Sequence, residues 1–244
     1  MRRQFTNNEA IIGAMPELLP GGARGRRVVV VSPHLDDAVL SVGAAISAWT
    51  RAGAQVVVLT VFAGDPDSDE PAGGWDRRGG FATEGDAARA RREEDRRACP
   101  RLGAAAVWLP FGSVDYDRHG DADDVRERVS ELLAGADLVL APGFPLTHPD
   151  HAWLVRALGR VRGMGLYVEQ PYARRAGGGP RVPEWLDADG EFEAVPVSLR
   201  DRVAKWRAIR CYRSQLGLLG MRRRLRRGPL ALARRQECVA WVDL

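Results

Sequence analysis

The most constraining feature of the chain is a rhythm in which short, continuous runs of β-branched and aliphatic residues alternate with longer Ala-, Arg- and Leu-rich stretches of helical period. Strands are expected near Val28 to Ser32, Gln55 to Phe62, Ala105 to Leu109, Asp137 to Ala141 and Leu166 to Glu169. Helices are expected near Asp36 to Arg51, Glu84 to Leu102, Asp123 to Ala134 and Pro149 to Arg162. The run Val28-Val29-Val30-Val31 is apolar throughout, whereas a strand with one solvated face would alternate apolar with polar. Strands of this kind need cover on both faces. The expected fold class is therefore α/β, a Rossmann-like three-layer arrangement with a mainly parallel sheet.

The ends are less regular. Pro16, Pro20, Gly21 and Gly22 break the first 25 residues, so the fold is expected to begin at Arg26. Beyond Gln170 the pattern loosens, with a strand-like Ala194 to Ser198, a helix near Leu199 to Gln215 and a final strand near Cys238 to Val242. The 244 residues read as one domain, in which residues 1–25 are an irregular lead and residues 171–244 are a looser part that completes the site. Gly64 to Gly80 reads as a long polar loop of the kind that is functional or mobile.

Composition excludes several classes. With 45% hydrophobic and 28% charged residues the chain can bury a core, and disorder is not expected. Its longest apolar runs fall short of the roughly 18 to 20 residues of a membrane span, and MRRQFTNN lacks the apolar segment of a secretory signal. Cys99, Cys211 and Cys238 are an odd number at unrelated spacings, which builds neither a disulfide framework nor a CxxC zinc site. They read as buried thiols in a cytoplasmic, reducing setting. The net charge of +4 comes from 36 basic and 32 acidic residues, and Lys205 is the only lysine. The one dense basic cluster is Arg222, Arg223, Arg224, Arg226 and Arg227.

Histidine is scarce and concentrated. Of the 4 histidines, His34 lies in SPHLDDAVL, His148 and His151 lie in THPDHAW, and His119 stands apart as a solvated loop residue. Both clusters follow the carboxyl ends of expected strands, where an open α/β sheet places its binding crevice. Convergence of the two loops would bring imidazoles and carboxylates into one site. Neutral imidazoles with a carboxylate, leaving one position open for water, are the pattern of a catalytic zinc site. His34 and Asp37 are spaced to share one ion, Asp36 stays free beside them, and His148 and His151 have the same spacing. Each cluster alone has a plainer reading: acidic residues at a helix entry, or Pro149 and Asp150 opening a helix. Their joint occurrence after two strands favours the site.

At these residues the sequence resembles the PIG-L or LmbE-like zinc-dependent N-deacetylases of amino-sugar conjugates. Members carry a PHxDD motif after the first strand and an HPDH-type motif later. The likeness extends from about Val28 to Gln215 through Arg91, Glu94, Ala98, Leu102 and Gly103, through LPFGSVD ending at Asp115, and through Tyr212, Ser214 and Gln215. The resemblance implies that His34, Asp37 and His151 ligate Zn(II), with Fe(II) suited to the same ligand types. It implies Asp36 as general base, His148 as the group that stabilises or protonates the tetrahedral intermediate, and Asp150 as the residue that orients His148 by a hydrogen bond. Arg91 and Asp115 would contact substrate. Leu35 replaces the family's usual proline after the first histidine and Ala38 its usual glutamate, which points to a subgroup with its own substrate.

The expected activity is hydrolytic removal of acetyl from an N-acetylated amino sugar, of the N-acetylglucosamine type, or from its conjugate. The expected partner is this small-molecule sugar, with no nucleic acid. The same site admits a larger amide hydrolase that cleaves a thiol-sugar conjugate. A rival of another class is a polyanion-binding module built on the arginine cluster near residue 222, although a solvated loop accounts for that cluster as well. The Trp75, Asp76, Arg77, Arg78 segment has side chains suited to a sugar face or a phosphate.

Overall fold

The computed structural model describes residues 19, 22–116, 120–174, 176–228 and 236–243. In chain order its strands are β1 (Arg27–Ser32), β2 (Gln55–Thr60), β3 (Ala105–Trp108), β4 (Leu138–Phe144), β5 (Met164–Val168), β6 (Glu193–Ala194) and β7 (Cys238–Asp243). The helices are α1 (Asp37–Arg51), α2 (Gly74–Arg78), α3 (Glu84–Ala98), α4 (Ala122–Leu133), α5 (Pro149–Leu158), α6 (Leu199–Ile209), α7 (Arg213–Leu218) and α8 (Arg222–Leu225). The strands form one sheet in the order β3-β2-β1-β4-β5-β7-β6. β1 to β5 pair in parallel, whereas β7 runs antiparallel to both β5 and β6.

The continuous apolar runs do what their composition requires. Val28, Val30, Val58 and Leu140 face a core shared with Ile46, Trp49 and Ile209 of α1 and α6. Val29, Val31, Leu59 and Val139 face the opposite core, shared with Val125 and Leu154 of α4 and α5. Burying a Val or Leu contributes about 1.5 to 3 kcal/mol, and a residue shift in β1 would exchange its two sets between cores of different shape. The expected three-layer α/β fold is thus the observed one, and the parallel part of the sheet carries the antiparallel pair at one side.

Sequence expectations and structure part company mainly at ends. The helix expected to Leu102 finishes at Ala98 and tightens into a 3-10 turn over Cys99–Leu102, where Pro100 supplies no amide donor. The helix expected to Arg162 stops at Leu158, before Gly159 at φ 61°. Leu199 to Gln215 is two helices, because the chain turns at Tyr212 to send its phenol inward to Asp95 at 2.5 Å. The strand near 194–198 shrinks to Glu193–Ala194, since Pro196 has no N–H to give a ladder. Leu19, at 0% exposure, already belongs to the core, ahead of the expected start at Arg26. The rest of the irregular lead, residues 1–18, 20 and 21, lies outside the described residues, as does His119.

Candidate metal centre

β1 and β4 are neighbours, but the chain leaves β1 toward β2 on one side and returns to β4 on the other. Such a switch opens a crevice at the carboxyl ends of the two strands. The crevice receives His34, Asp36 and Asp37 from the turn after β1, and His148, Asp150 and His151 from the entry to α5. The two histidine clusters converge as their placement after strands leads one to expect.

Three donor atoms form a small triangle. The Asp37 Oδ2 lies 3.1 Å from His34 Nδ1 and 3.1 Å from His151 Nε2, and those two nitrogens are 3.2 Å apart. A tetrahedral ion with bonds of about 2.0 Å spaces its ligands by about 3.3 Å. The far nitrogen of each imidazole is pinned by a buried carboxylate. His34 Nε2 meets Asp150 Oδ2 at 2.7 Å, and His151 Nδ1 meets Glu169 Oε1. A carboxylate only accepts, so each far nitrogen carries a proton and each near nitrogen is left to offer its lone pair to an ion held with Asp37.

Electrostatics agree with this geometry. Burial alone would depress the His151 imidazole, but Asp37 and Glu169 overcome it and hold its pKa up at about 10. Burial likewise works against charging His34, yet Asp150 and Asp37 raise it. Burial would raise Asp37, but His151 and His34 hold its carboxyl well below the usual range. This is a pocket built to stabilise positive charge, and a divalent ion on the same donors suits it. The donor set fits a metal.

Asp36 behaves oppositely to its neighbour. Burial pushes its carboxyl well above the ordinary range, Asp37 adds to the shift, and Arg91 opposes it. Asp36 holds a positive φ of 127° at the entry to α1, and it lines the cavity beside Asp37. Two adjacent carboxyls driven apart in pKa are suited to different roles.

His148 stands apart from the other two imidazoles. Its Nδ1 accepts the Asp150 backbone N–H at 3.3 Å as the cap of α5, so the proton belongs on Nε2. Burial, with the charges of His34 and His151, lowers its pKa to about 4. It is a neutral donor rather than an imidazolium. The expected hydrogen bond from Asp150 to the His148 ring comes from its backbone N–H and not from its carboxylate: Asp150 Oδ2 is 3.8 Å from Nδ1, because the carboxylate is engaged by His34 Nε2 and by the Val114 N–H at 3.1 Å. His34, His148 and His151 also bring nitrogens within 4.8 Å of one another, which offers a three-histidine alternative to the set with Asp37.

Beside the donors opens a cavity of about 430 Å³, walled in part by Trp75, Arg78, Arg91, Asp115, Tyr172 and Leu219. Both expected substrate contacts are on this wall. Arg91 pairs with Asp76 at 3.2 Å, and its Nε is buried without a hydrogen-bond partner among the described residues. Asp115 accepts the Trp75 N–H at 2.7 Å and is packed so closely on Gly73 that a Cβ there would lie 2.5 Å from its carboxylate. The segment read as a loop contains α2, with Arg78 stacked 5.0 Å over Trp75 and the Trp75 indole N–H on Gln215 at 2.7 Å. The motif residues Glu94, Ser214 and Tyr212 dock α3 against α7, through Glu94 to Ser214 Oγ at 2.7 Å and Asp95 to Tyr212. Of the three cysteines, only Cys99 is fully buried; Cys211 and Cys238 are half-buried, and all three are free.

Sequence reasoning missed Glu169. It is 2% exposed, receives the Leu146 N–H at 2.7 Å and fixes the tautomer of His151. The available signal was a lone acid closing the apolar run of β5, at the same sheet edge as both histidine clusters.

Comparison with known proteins bears on the site. The family profile described as PIG-L, GlcNAc-PI de-N-acetylase, matches residues 29–161. A 2'-N-acetylparomamine deacetylase of Streptomyces fradiae is 34% identical over 172 residues, which cover 62% of this chain and 59% of that protein, so the match spans less than two thirds of the relative. Among solved structures, the A40926 pseudoaglycone deacetylase aligns with a TM-score of 0.69 and 28% identity over 90% of this chain and 97% of its own. A zinc-inhibited form of a teicoplanin deacetylase aligns with a TM-score of 0.65 and 26% identity, covering 88% of this chain and 97% of its own.

Proposed function

This chain belongs to the PIG-L family, described as GlcNAc-PI de-N-acetylase, and from that premise we propose that it is a metal-dependent hydrolase that removes the N-acetyl group from an N-acetylated amino sugar or its conjugate, releasing acetate. The observation that carries the reading is the triangle of His34, Asp37 and His151, each imidazole backed by its own buried carboxylate. These three residues would hold Zn(II), with Fe(II) the second choice for the same donors. When bound, such an ion supplies Lewis acidity toward an amide carbonyl and toward water.

The side chains divide the remaining work. Asp36, unpaired with the triangle and raised in pKa, takes the proton of the attacking water and can return it to the leaving amine. His148, neutral with its proton on Nε2, donates a hydrogen bond to the carbonyl oxygen as that oxygen gains charge. Asp150 and Glu169 keep His34 and His151 in ligating tautomers. Arg91 and Asp115, both on the cavity wall, contact the sugar portion.

The cavity exceeds what an acetyl group fills and lies within the roughly 300 to 1,000 Å³ of small-molecule sites. This supports a conjugate or oligosaccharide-like acceptor. The deacetylase names of the relatives favour this reading over cleavage of a thiol-sugar conjugate and over polyanion binding. We also read the chain as one domain completed by its C-terminal part, a reading supported by the position of Tyr172, Gln215 and Leu219 on the cavity wall. Among the described residues no helix is long and apolar enough to cross a membrane, and the three free thiols suit the cytoplasmic setting included in this proposal. The test is an acetate-release screen of zinc-loaded protein over N-acetylglucosamine derivatives and N-acetylated aminoglycoside-type sugars. Stoichiometric acetate from one class supports the proposal, and amine release without acetate refutes it.

A further inference from the structure

Lys205, the only lysine among 36 basic residues, lies at 7% exposure in the middle of α6. Its Nζ pairs with Glu237, itself 3% exposed, and donates to the Ser41 carbonyl at 3.2 Å. α1 is interrupted one residue later, at Val42 (φ −123°, ψ 22°). In an unbroken helix the N–H groups of Ala44 and Ala45 would bond the carbonyls of Leu40 and Ser41. Here the Glu237 carboxylate takes them instead, Ala44 N at 3.1 Å and Ala45 N at 2.7 Å. The buried ion pair thus occupies the break: the acid caps the amides beyond it and the ammonium caps the carbonyl before it. Gly43 makes room, since a Cβ there would stand 3.0 Å from the Lys205 Cγ.

The break has a direct line to the site. Ser41 stands one turn after Asp37, on the short first segment of α1. Its hydroxyl also accepts the Gln170 N–H at 3.0 Å, and Gln170 follows Glu169, the residue that pins His151. Two of the three donors in the triangle therefore hang on Ser41. We propose that the Lys205–Glu237 pair is a positioning device that splints α1 at its break and fixes the aim of Asp36 and Asp37. The inference rests on the metal-site reading above. A compact ammonium on a slender stem can reach a single carbonyl past Gly43, whereas a planar guanidinium brings a wider head with a fixed fork of donors. That difference accounts for the lone lysine in an arginine-rich chain.

The test uses the full-length protein and two readouts, amide hydrogen exchange in Asp37–Ser41 and zinc affinity by competition with a chelator. Glu237→Gln keeps the size of the side chain and removes its charge. The double variant Lys205→Met/Glu237→Gln removes both charges, so that folding does not depend on an unpaired buried ammonium. Asp201→Asn, which loosens α1 beyond the break at Ser47 and Arg51, is the control for general destabilisation. Glu237→Gln, or the double variant, should speed exchange of the first turn by about tenfold and weaken zinc binding by about tenfold or more. Asp201→Asn should leave both within about twofold, because its contacts to α1 lie beyond the break, at Ser47 and Arg51. Equal effects in all variants, or a change in only one of the two readouts, would overturn the proposal. A wild-type chain that binds no zinc would overturn the site reading instead, and the exchange comparison would still decide whether the pair holds the turn.

Discussion

Asp150→Asn tests the central geometry through a residue that touches neither substrate nor ion. Asp150 is 0% exposed, with Oδ2 2.7 Å from His34 Nε2 and Oδ1 3.1 Å from the Val114 N–H. Asparagine has one acceptor oxygen where aspartate has two. If that oxygen stays on Val114, the amide NH2 confronts His34 Nε2, which must surrender its proton and move it to Nδ1. The lone pair that an ion shared with Asp37 and His151 would need is then lost. If the oxygen turns to His34, the buried Val114 N–H faces a donor, at a cost of about 1 to 3 kcal/mol. The first outcome disarms a ligand, and removing such supporting contacts typically weakens metal binding by about 10- to 100-fold, or about 1.4 to 2.7 kcal/mol. Chelator competition on wild type and variant measures this directly. Unchanged zinc affinity would restore Asp150 to His148 and refute the reasoning.

Other outcomes follow from the same structure. Asp36→Asn should keep its metal while kcat falls by about 10² or more, as for loss of a general base; single-turnover kinetics and metal analysis on one preparation check both. His148→Ala should keep its metal and lose about 10² to 10³ in kcat, and loss of the metal would instead place His148 in the ligand set. Asp201 links pH to stability: burial would raise its carboxyl, but Arg51, Ser198 and Ser47 hold it down at about 2. A carboxyl depressed on folding stabilises the protein above its unfolded pKa and loses that contribution as pH falls through the folded value, so about 2 kcal/mol present at pH 5 should vanish near pH 2. Asp201→Asn should therefore lower Tm by about 4 to 8 °C at pH 5, a gap that thermal melts should find narrowing steadily on acidification.

The sequence carries the layers of this fold because they depend on local composition. Four consecutive valines in β1 must be covered on two faces, and β4 and β5, buried along their whole length, follow the same logic. It carries His34, Asp36, Asp37, His148 and His151 because scarce histidines after two strands are visible before any contact is known. What it does not carry depends on which strands become neighbours. Glu169 reaches His151 only because β5 pairs with β4, and Glu237 reaches α1 only because β7 inserts beside β5. The partner of the Asp150 carboxylate is hidden for a related reason: its backbone N–H bonds the nearby His148 ring, whereas the crossing of the two loops gives its side chain to His34 Nε2. Likewise Gly43 alone does not foretell the break at Val42, where the carboxylate that takes the freed amides comes from the far end of the chain.

The account turns on one ion shared by His34 Nδ1, Asp37 Oδ2 and His151 Nε2, and anomalous diffraction at the zinc edge from a zinc-loaded crystal locates it directly. The account predicts a single peak at about 2.0 to 2.2 Å from each of those three atoms, with Asp36 and the His148 Nε2 facing it from the cavity side and outside bonding distance. A peak bonded to His148 and not to Asp37, or no peak between β1 and β4, would contradict it.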